Sequence, residues 1–103
     1  MNKRVLITGG SRGIGAACVR AFRALGDRVV FIYRSRTESA DALCRETGAS
    51  CIRADISDGG ECVGAVRRAL SVLGGADVLV NCAGIAEFSL FQDITDGMWE
   101  RMI

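Results

Sequence analysis

The fold is decided by VLITGGSRGIGAA, residues 5–17, where four glycines fall within the seven positions 9–15. An apolar, β-branched stretch leads into them and a helical pattern leads out. Glycine at such a junction lets a bulky anion approach backbone that a side chain would shield. A strand, a turn and a helix start in succession also aim backbone N–H groups and the positive end of a helix dipole at one point. The stretch therefore reads as an anion-binding turn, with a merely structural tight turn as its rival.

Outward from that turn, short β-like runs alternate with longer helical ones. KRVLIT (3–8) is the first predicted strand. A helix follows over 13–26, with Ile14, Ala17, Cys18, Ala21, Phe22 and Leu25 on its apolar face and Gly26 at its end. RVVFIY (28–33) is a near-continuous apolar run, as in a strand buried on both faces. Ser35-x-x-Glu38 has the form of a capping box and opens a helix to about Thr47. SCIRA (50–54) is a third, weaker strand. Asp58-x-x-Glu61 starts another helix, whose Val63, Val66, Leu70 and Leu73 keep one apolar face up to Gly74-Gly75. ADVLVN (76–81) is the fourth strand, and Thr95 caps a last helix, DGMWERMI. There Met98 and Trp99 read as packing residues.

Strand and helix alternate without proline or low-complexity linkers, which predicts an α/β protein with a Rossmann-type doubly wound parallel sheet. Right-handed crossovers give the strand order 3-2-1-4, with later strands missing and a crevice between strands 1 and 4. At 103 residues there is room for one domain, spanning 1–103.

Thirteen basic against twelve acidic residues leave no electrostatic footprint for nucleic acid. No apolar run reaches the roughly 20 residues that cross a bilayer, and the N-terminal MNKRVLI is too short for a signal-peptide core. A cytoplasmic protein with no membrane or nucleic-acid partner is expected. Five cysteines in odd number and without a C-x-x-C pair read as buried free thiols rather than disulfides or metal ligands. Histidine is absent, so neither a zinc site nor a histidine base is expected.

The glycine spacing, Gly9-x-x-x-Gly13-x-Gly15, departs from the G-x-G-x-x-G dehydrogenase fingerprint. Thr8-Gly-Gly-Ser-Arg-Gly-Ile-Gly15 instead resembles the T-G-x-x-x-G-x-G motif of the short-chain dehydrogenase/reductase family. Asn81-Cys-Ala-Gly84, closing the fourth strand, is similar to that family's N-N-A-G motif, and Asp55-Ile56 to its adenine-side acidic and apolar pair. Within the family, TGGSRGIGAA, YRSR and NCAGI look most like the 3-oxoacyl acyl-carrier-protein reductases of fatty acid biosynthesis.

The resemblance implies roles for particular residues. Gly9, Ser11, Arg12, Gly13, Ile14 and Gly15 would line the pyrophosphate and adenosine ribose. Asp55 would accept from the adenine amino group, and the Ile56 backbone would meet the ring. Asn81, Ala83 and Gly84 would border the nicotinamide ribose, with Cys82 standing where the family shows Asn or Ala. Asp55 as a solvated residue before a helix, and Asn81 as a strand-end residue satisfying backbone groups, are the plainer alternatives.

NAD sites place a carboxylate roughly 20 residues past the glycines to hold the ribose 2′-hydroxyl. Here Tyr33-Arg34-Ser35-Arg36 occupies that place, with no carboxylate before Glu38. Guanidinium groups suit a 2′-phosphate, so the expected cofactor is NADP(H), held by Arg34, Ser35 and Arg12. Ordinary solvated charges on Arg34 and Arg36 are the alternative.

The family's catalytic Ser and Tyr-x-x-x-Lys cannot be built from one tyrosine, Tyr33, and one lysine, Lys3. No catalytic residue is therefore assigned, and the chain is expected to be the cofactor half of a reductase, inactive alone. The resemblance implies an NADP(H)-dependent enzyme reducing a ketone to an alcohol. Its substrate would be a small molecule or an acyl-carrier-bound ketone, and its full-length form a homo-oligomer, dimer or tetramer. A non-catalytic dinucleotide-binding or interaction fragment is the second class of function.

Overall fold

Val5, Leu6 and Ile7 are wholly buried. A strand apolar on both faces belongs in the interior of a sheet covered on both sides. The computed structural model, which describes residues 2–9 and 13–82, places Arg4–Thr8 (β1) there. β1 lies between β2 (Arg28–Tyr33) and β4 (Val78–Asn81), and β3 (Ser50–Arg53) flanks β2. Every pairing is parallel and the order is β3-β2-β1-β4, as the crossover rule predicts. Helices α1 (Gly13–Ala24), α2 (Thr37–Thr47) and α3 (Gly59–Leu73) make the crossovers.

The period-2 alternation of the strands sorts the interior into two cores. Leu6, Val30, Ile32 and Ile52 face α3 and meet its Cys62, Ala65, Val66, Ala69 and Leu73. Val5, Ile7, Val29, Phe31 and Tyr33 face the other way, against Ala16 and Val19 of α1 and Ala40 and Leu43 of α2.

Three local expectations need correction. The buried face of α1 is Gly15, Ala16 and Val19. Of the predicted face, Cys18 and Phe22 are half-buried, Ala17 and Ala21 are exposed, and Ile14 and Leu25 are 79% and 74% exposed. The reason is close packing: small residues bring the helix axis near the sheet, and the bulky ones ride outside. Second, Ser35 does not cap α2. The N-cap is Arg36 in the left-handed region (φ 61°, ψ 54°), with no side-chain cap bond. Third, the cysteines are less buried than expected: Cys62 is buried, while Cys18, Cys44, Cys51 and Cys82 are half-buried.

The start of α3 is as predicted, since Asp58 caps it by accepting from the Glu61 N–H at 3.1 Å. The Glu61 carboxylate, however, accepts from the Asp55 N–H (3.2 Å), tying the β3–α3 loop to the helix. Gly48 and Gly74 end α2 and α3 in left-handed conformations that return N–H bonds to Cys44 O and Leu70 O.

At the amino ends of the strands, arginines close the orphan carbonyls of the helix C-termini. Arg4 donates to Gly74 O at 2.7 Å and binds Asp77 through Nε and Nη2 (3.1 and 3.0 Å). Arg28 donates to Leu73 O and Val72 O, and Arg23 to Thr47 O. Arg4 and Arg28 are register partners, the first pair of β1 and β2. No helix among the described residues is long and apolar enough to cross a membrane. The predicted helix after Thr95, with Met98 and Trp99, lies outside the described residues.

Candidate functional site

The carboxyl ends of parallel strands, where the order reverses, leave a crevice that helices do not fill. Here that point lies where β1 separates β2 from β4. The chain leaves β1 through Gly9 at φ +76° and enters α1 through Gly13 at φ +61°, both in the region that favours glycine. The Gly9 N–H donates to Ile32 O at 2.8 Å, so it pins the turn to β2 instead of pointing at a ligand. A Cβ on Gly13 would meet nothing within 4 Å, which leaves open space over the first turn of α1.

Above the turn lies a cavity of about 620 Å³ lined by Gly9, Gly13, Tyr33, Arg34, Ser35, Arg36 and Cys82. The glycine turn and the arginine stretch after β2, separated by twenty residues and more in the sequence, thus share one concavity. Freed from capping, Ser35 belongs to its lining. Arg36 reaches it from its left-handed backbone, and Cys82 closes the β4 side. Tyr33 was missed. It is the last residue of β2, 6% exposed, on the same face as Phe31, whose ring centroid lies 6.4 Å away. Strand-end position was the available signal, since the last residue of a strand beside the switch point borders the crevice.

Asp55 adjoins this site rather than lining it. Its carboxylate accepts from the Ser57 hydroxyl (2.6 Å) and N–H (3.0 Å) and lies 3.8 Å from the Arg34 guanidinium. The Ser57 hydroxyl bond, then the Ser57 N–H and Arg34, hold the carboxyl below the usual carboxylate range. An ionised acceptor at the rim is what an exocyclic amino group needs. Ile56 packs half-buried against the α3-side core, leaving its backbone as the part available to a ring. Gly15 is buried in the first turn of α1. Ile14 is exposed at the start of α1. Thr8, fully buried, donates to Asn81 Oδ1 at 3.1 Å and so orients that amide at the end of β4. Ser11, Arg12, Ala83 and Gly84 lie outside the described residues.

The fit to a dinucleotide is good on three counts. The cavity volume lies in the usual ligand range of about 300–1,000 Å³. Its glycines leave backbone uncovered, and its rim carries cationic groups on one side with an ionised acceptor beside them. Sheet order, glycine turn and crevice together define a Rossmann-type dinucleotide-binding protein.

The model of the short chain dehydrogenase family matches residues 3–103. The chain belongs to that family, whose members are oxidoreductases using a nicotinamide dinucleotide. It is 39% identical over 103 residues to the acetoacetyl-CoA reductase of Rhizobium meliloti (strain 1021), covering all of this chain and 43% of that protein. It is 32% identical over 108 residues to the 3-oxoacyl acyl-carrier-protein reductase FabG of Staphylococcus epidermidis, covering 100% and 44%. A blue fluorescent protein from a metagenomic library, solved in complex with NADPH, matches with a TM-score of 0.74 and 44% identity over 82% of this chain and 37% of that one. The chain thus spans less than half the length of these relatives.

Proposed function

We propose that this chain is the NADP(H)-binding part, residues 1–103, of a cytoplasmic reductase that converts the ketone of a 3-oxoacyl thioester to an alcohol. One observation carries the choice of NADP(H): Arg34, Ser35 and Arg36 line the same cavity as Gly9 and Gly13, with no carboxylate among its described lining residues. A 2′-phosphate set there is met by planar guanidinium donors. The names of the acetoacetyl-CoA and 3-oxoacyl relatives support the substrate class, and the NADPH-bound neighbour supports the cofactor.

The bound cofactor supplies the hydride. This chain's residues bind and orient it: the glycine turn admits the pyrophosphate, Asp55 and the Ile56 backbone hold the adenine, and Asn81 borders the nicotinamide ribose. Proton delivery lies with a Ser and a Tyr-x-x-x-Lys that this sequence does not contain. Its one tyrosine, Tyr33, is buried at the end of β2 and its one lysine is Lys3 at the amino end of β1.

Titration calorimetry with NADPH and NADH, on a protein carrying the following coding sequence, tests the cofactor. Tighter NADPH binding is expected, and equal affinities overturn the assignment. The 103-residue polypeptide alone is expected to oxidise no NADPH with an acetoacetyl thioester. Turnover that scales with its concentration would show that the chemistry had been misplaced. That missing acid also keeps a second reading in play, a dinucleotide-binding module without catalysis. A downstream Tyr-x-x-x-Lys in frame favours the reductase, and a stop codon favours the module.

A further inference from the structure

Cys44 stands in the last turn of α2, one helical turn before Gly48. The left-handed Gly48 (φ +80°) folds the chain straight back into β3, whose second residue is Cys51. Both side chains pack on the core that α1 and α2 share with the sheet, and Cys51 is the thiol that neighbours Cys44 there. Both are free and half-buried, so each has a path to solvent. Residues 45–50 alone separate them in the sequence. A cysteine pair brought together by a helix-to-strand reversal is placed for intramolecular exchange.

We propose that Cys44 and Cys51 are a redox-modification site, forming a reversible disulfide by exchange with a low-molecular-weight disulfide such as oxidised glutathione. In the first step the Cys51 thiolate attacks one sulfur of glutathione disulfide, breaking its S–S bond. One glutathione thiolate leaves and takes up a proton. Cys44 then attacks the Cys51 sulfur of the mixed disulfide, and its proton goes to the second departing glutathione. The protein dithiol loses two electrons, and two glutathione thiols carry them away.

The order of attack follows from the surroundings of Cys44. Burial, then the neighbouring Cys51 thiol and the charge of Asp41, push its thiol up to about 12. It keeps its proton at neutral pH, so Cys51 makes the first attack. The resulting bond ties the far end of α2 to β3, while the near end of the same helix follows the cavity arginines.

Trypsin gives a direct readout, because Arg45 lies between the two cysteines and Arg36 and Arg53 bracket them. The protein is equilibrated with glutathione at graded oxidised-to-reduced ratios, alkylated, digested without reductant and mapped by mass. The expected species is residues 37–45 linked to residues 46–53, lost when dithiothreitol is added. Cys44→Ser should stop at a single glutathione adduct on Cys51, and Cys51→Ser should leave Cys44 unmodified over the same time. The proposal fails if both peptides of the unaltered protein remain separate at every ratio, or if Cys44 is found linked to Cys18. Glutathione on Cys44 in the Cys51→Ser protein overturns the order of attack. The map of the unaltered protein decides the pairing even where a variant folds poorly.

Discussion

Thr8 and Asn81 are register partners at the carboxyl ends of β1 and β4, and the Thr8 hydroxyl donates to Asn81 Oδ1 at 3.1 Å. The two residues that begin and end the binding crevice are thereby locked to one another across the sheet. Thr8→Val keeps the shape and removes the donor inside a fully buried site. The expected loss is about 1 kcal/mol of unfolding free energy by chemical denaturation, together with weaker cofactor binding as the Asn81 amide loses its orientation. Thr8→Ser, which retains the donor, should bind cofactor as the unaltered protein does. Equal binding by all three would confine this pair to a structural part.

Arg34 faces the cavity and lies 3.8 Å from Asp55, with 72% of its side chain exposed. Arg34→Asp would set a second carboxylate beside Asp55 and repel a 2′-phosphate. NADPH affinity should fall by about 10- to 150-fold, the equivalent of 1.5–3 kcal/mol for one charge-assisted bond. NADH affinity should hold or rise. Unchanged selectivity in the two titrations would remove Arg34 from cofactor recognition.

Arg36 is the one non-glycine residue with positive φ among the described residues. A left-handed backbone costs an ordinary residue roughly 1–2 kcal/mol, and glycine much less. Arg36→Gly should therefore raise thermal stability while weakening NADPH binding, two effects of opposite sign from one change. A variant that is less stable than the unaltered protein would show that the arginine side chain itself supports the fold.

Asp77 carries a sharper pH signature. The Arg4 guanidinium bonds, then the Arg4 N–H, lower its carboxyl from 3.8 to about 2. A folded-state value below the unfolded one stabilises the fold above the unfolded value, and the contribution is lost as pH falls through the folded one. The stability gap between the unaltered protein and Asp77→Asn should stay constant above about pH 5, narrow below about 4 and close near about 2. Because this pair is solvent-exposed, added salt should also shrink the gap. A gap indifferent to acid would mean that Asp77 keeps its proton equilibrium on folding.

The strands and the glycine turn were legible because their signals are local and redundant. Val5–Ile7 and Val29–Ile32 are apolar without break, and Gly9 and Gly13 stand where the chain must turn with positive φ. The face of α1 was not legible, because Gly15 and Ala16 count little on any hydrophobic scale yet are buried. Their burial depends on how near the helix comes to the sheet, a distance fixed by tertiary packing. The start of α2 misled for a related reason. Ser35-x-x-Glu38 has the right letters for a cap, but the path of the chain around the cavity puts Arg36 at the N-cap position. Tyr33 was hidden in a run that already had an explanation as buried strand.

The guanidinium bonds of Arg4, Arg23 and Arg28 to helix-end carbonyls all lie at the opposite end of the strands from the crevice. Selection can therefore act on the two ends almost independently. On the proposed cofactor assignment, replacements among residues 34–36 alter which nucleotide is admitted while the anchoring at the other end of the strands is out of reach. Such a separation makes the crevice permissive to sequence change: a scaffold held from below can acquire a new cofactor preference by a few surface substitutions without first passing through an unfolded variant.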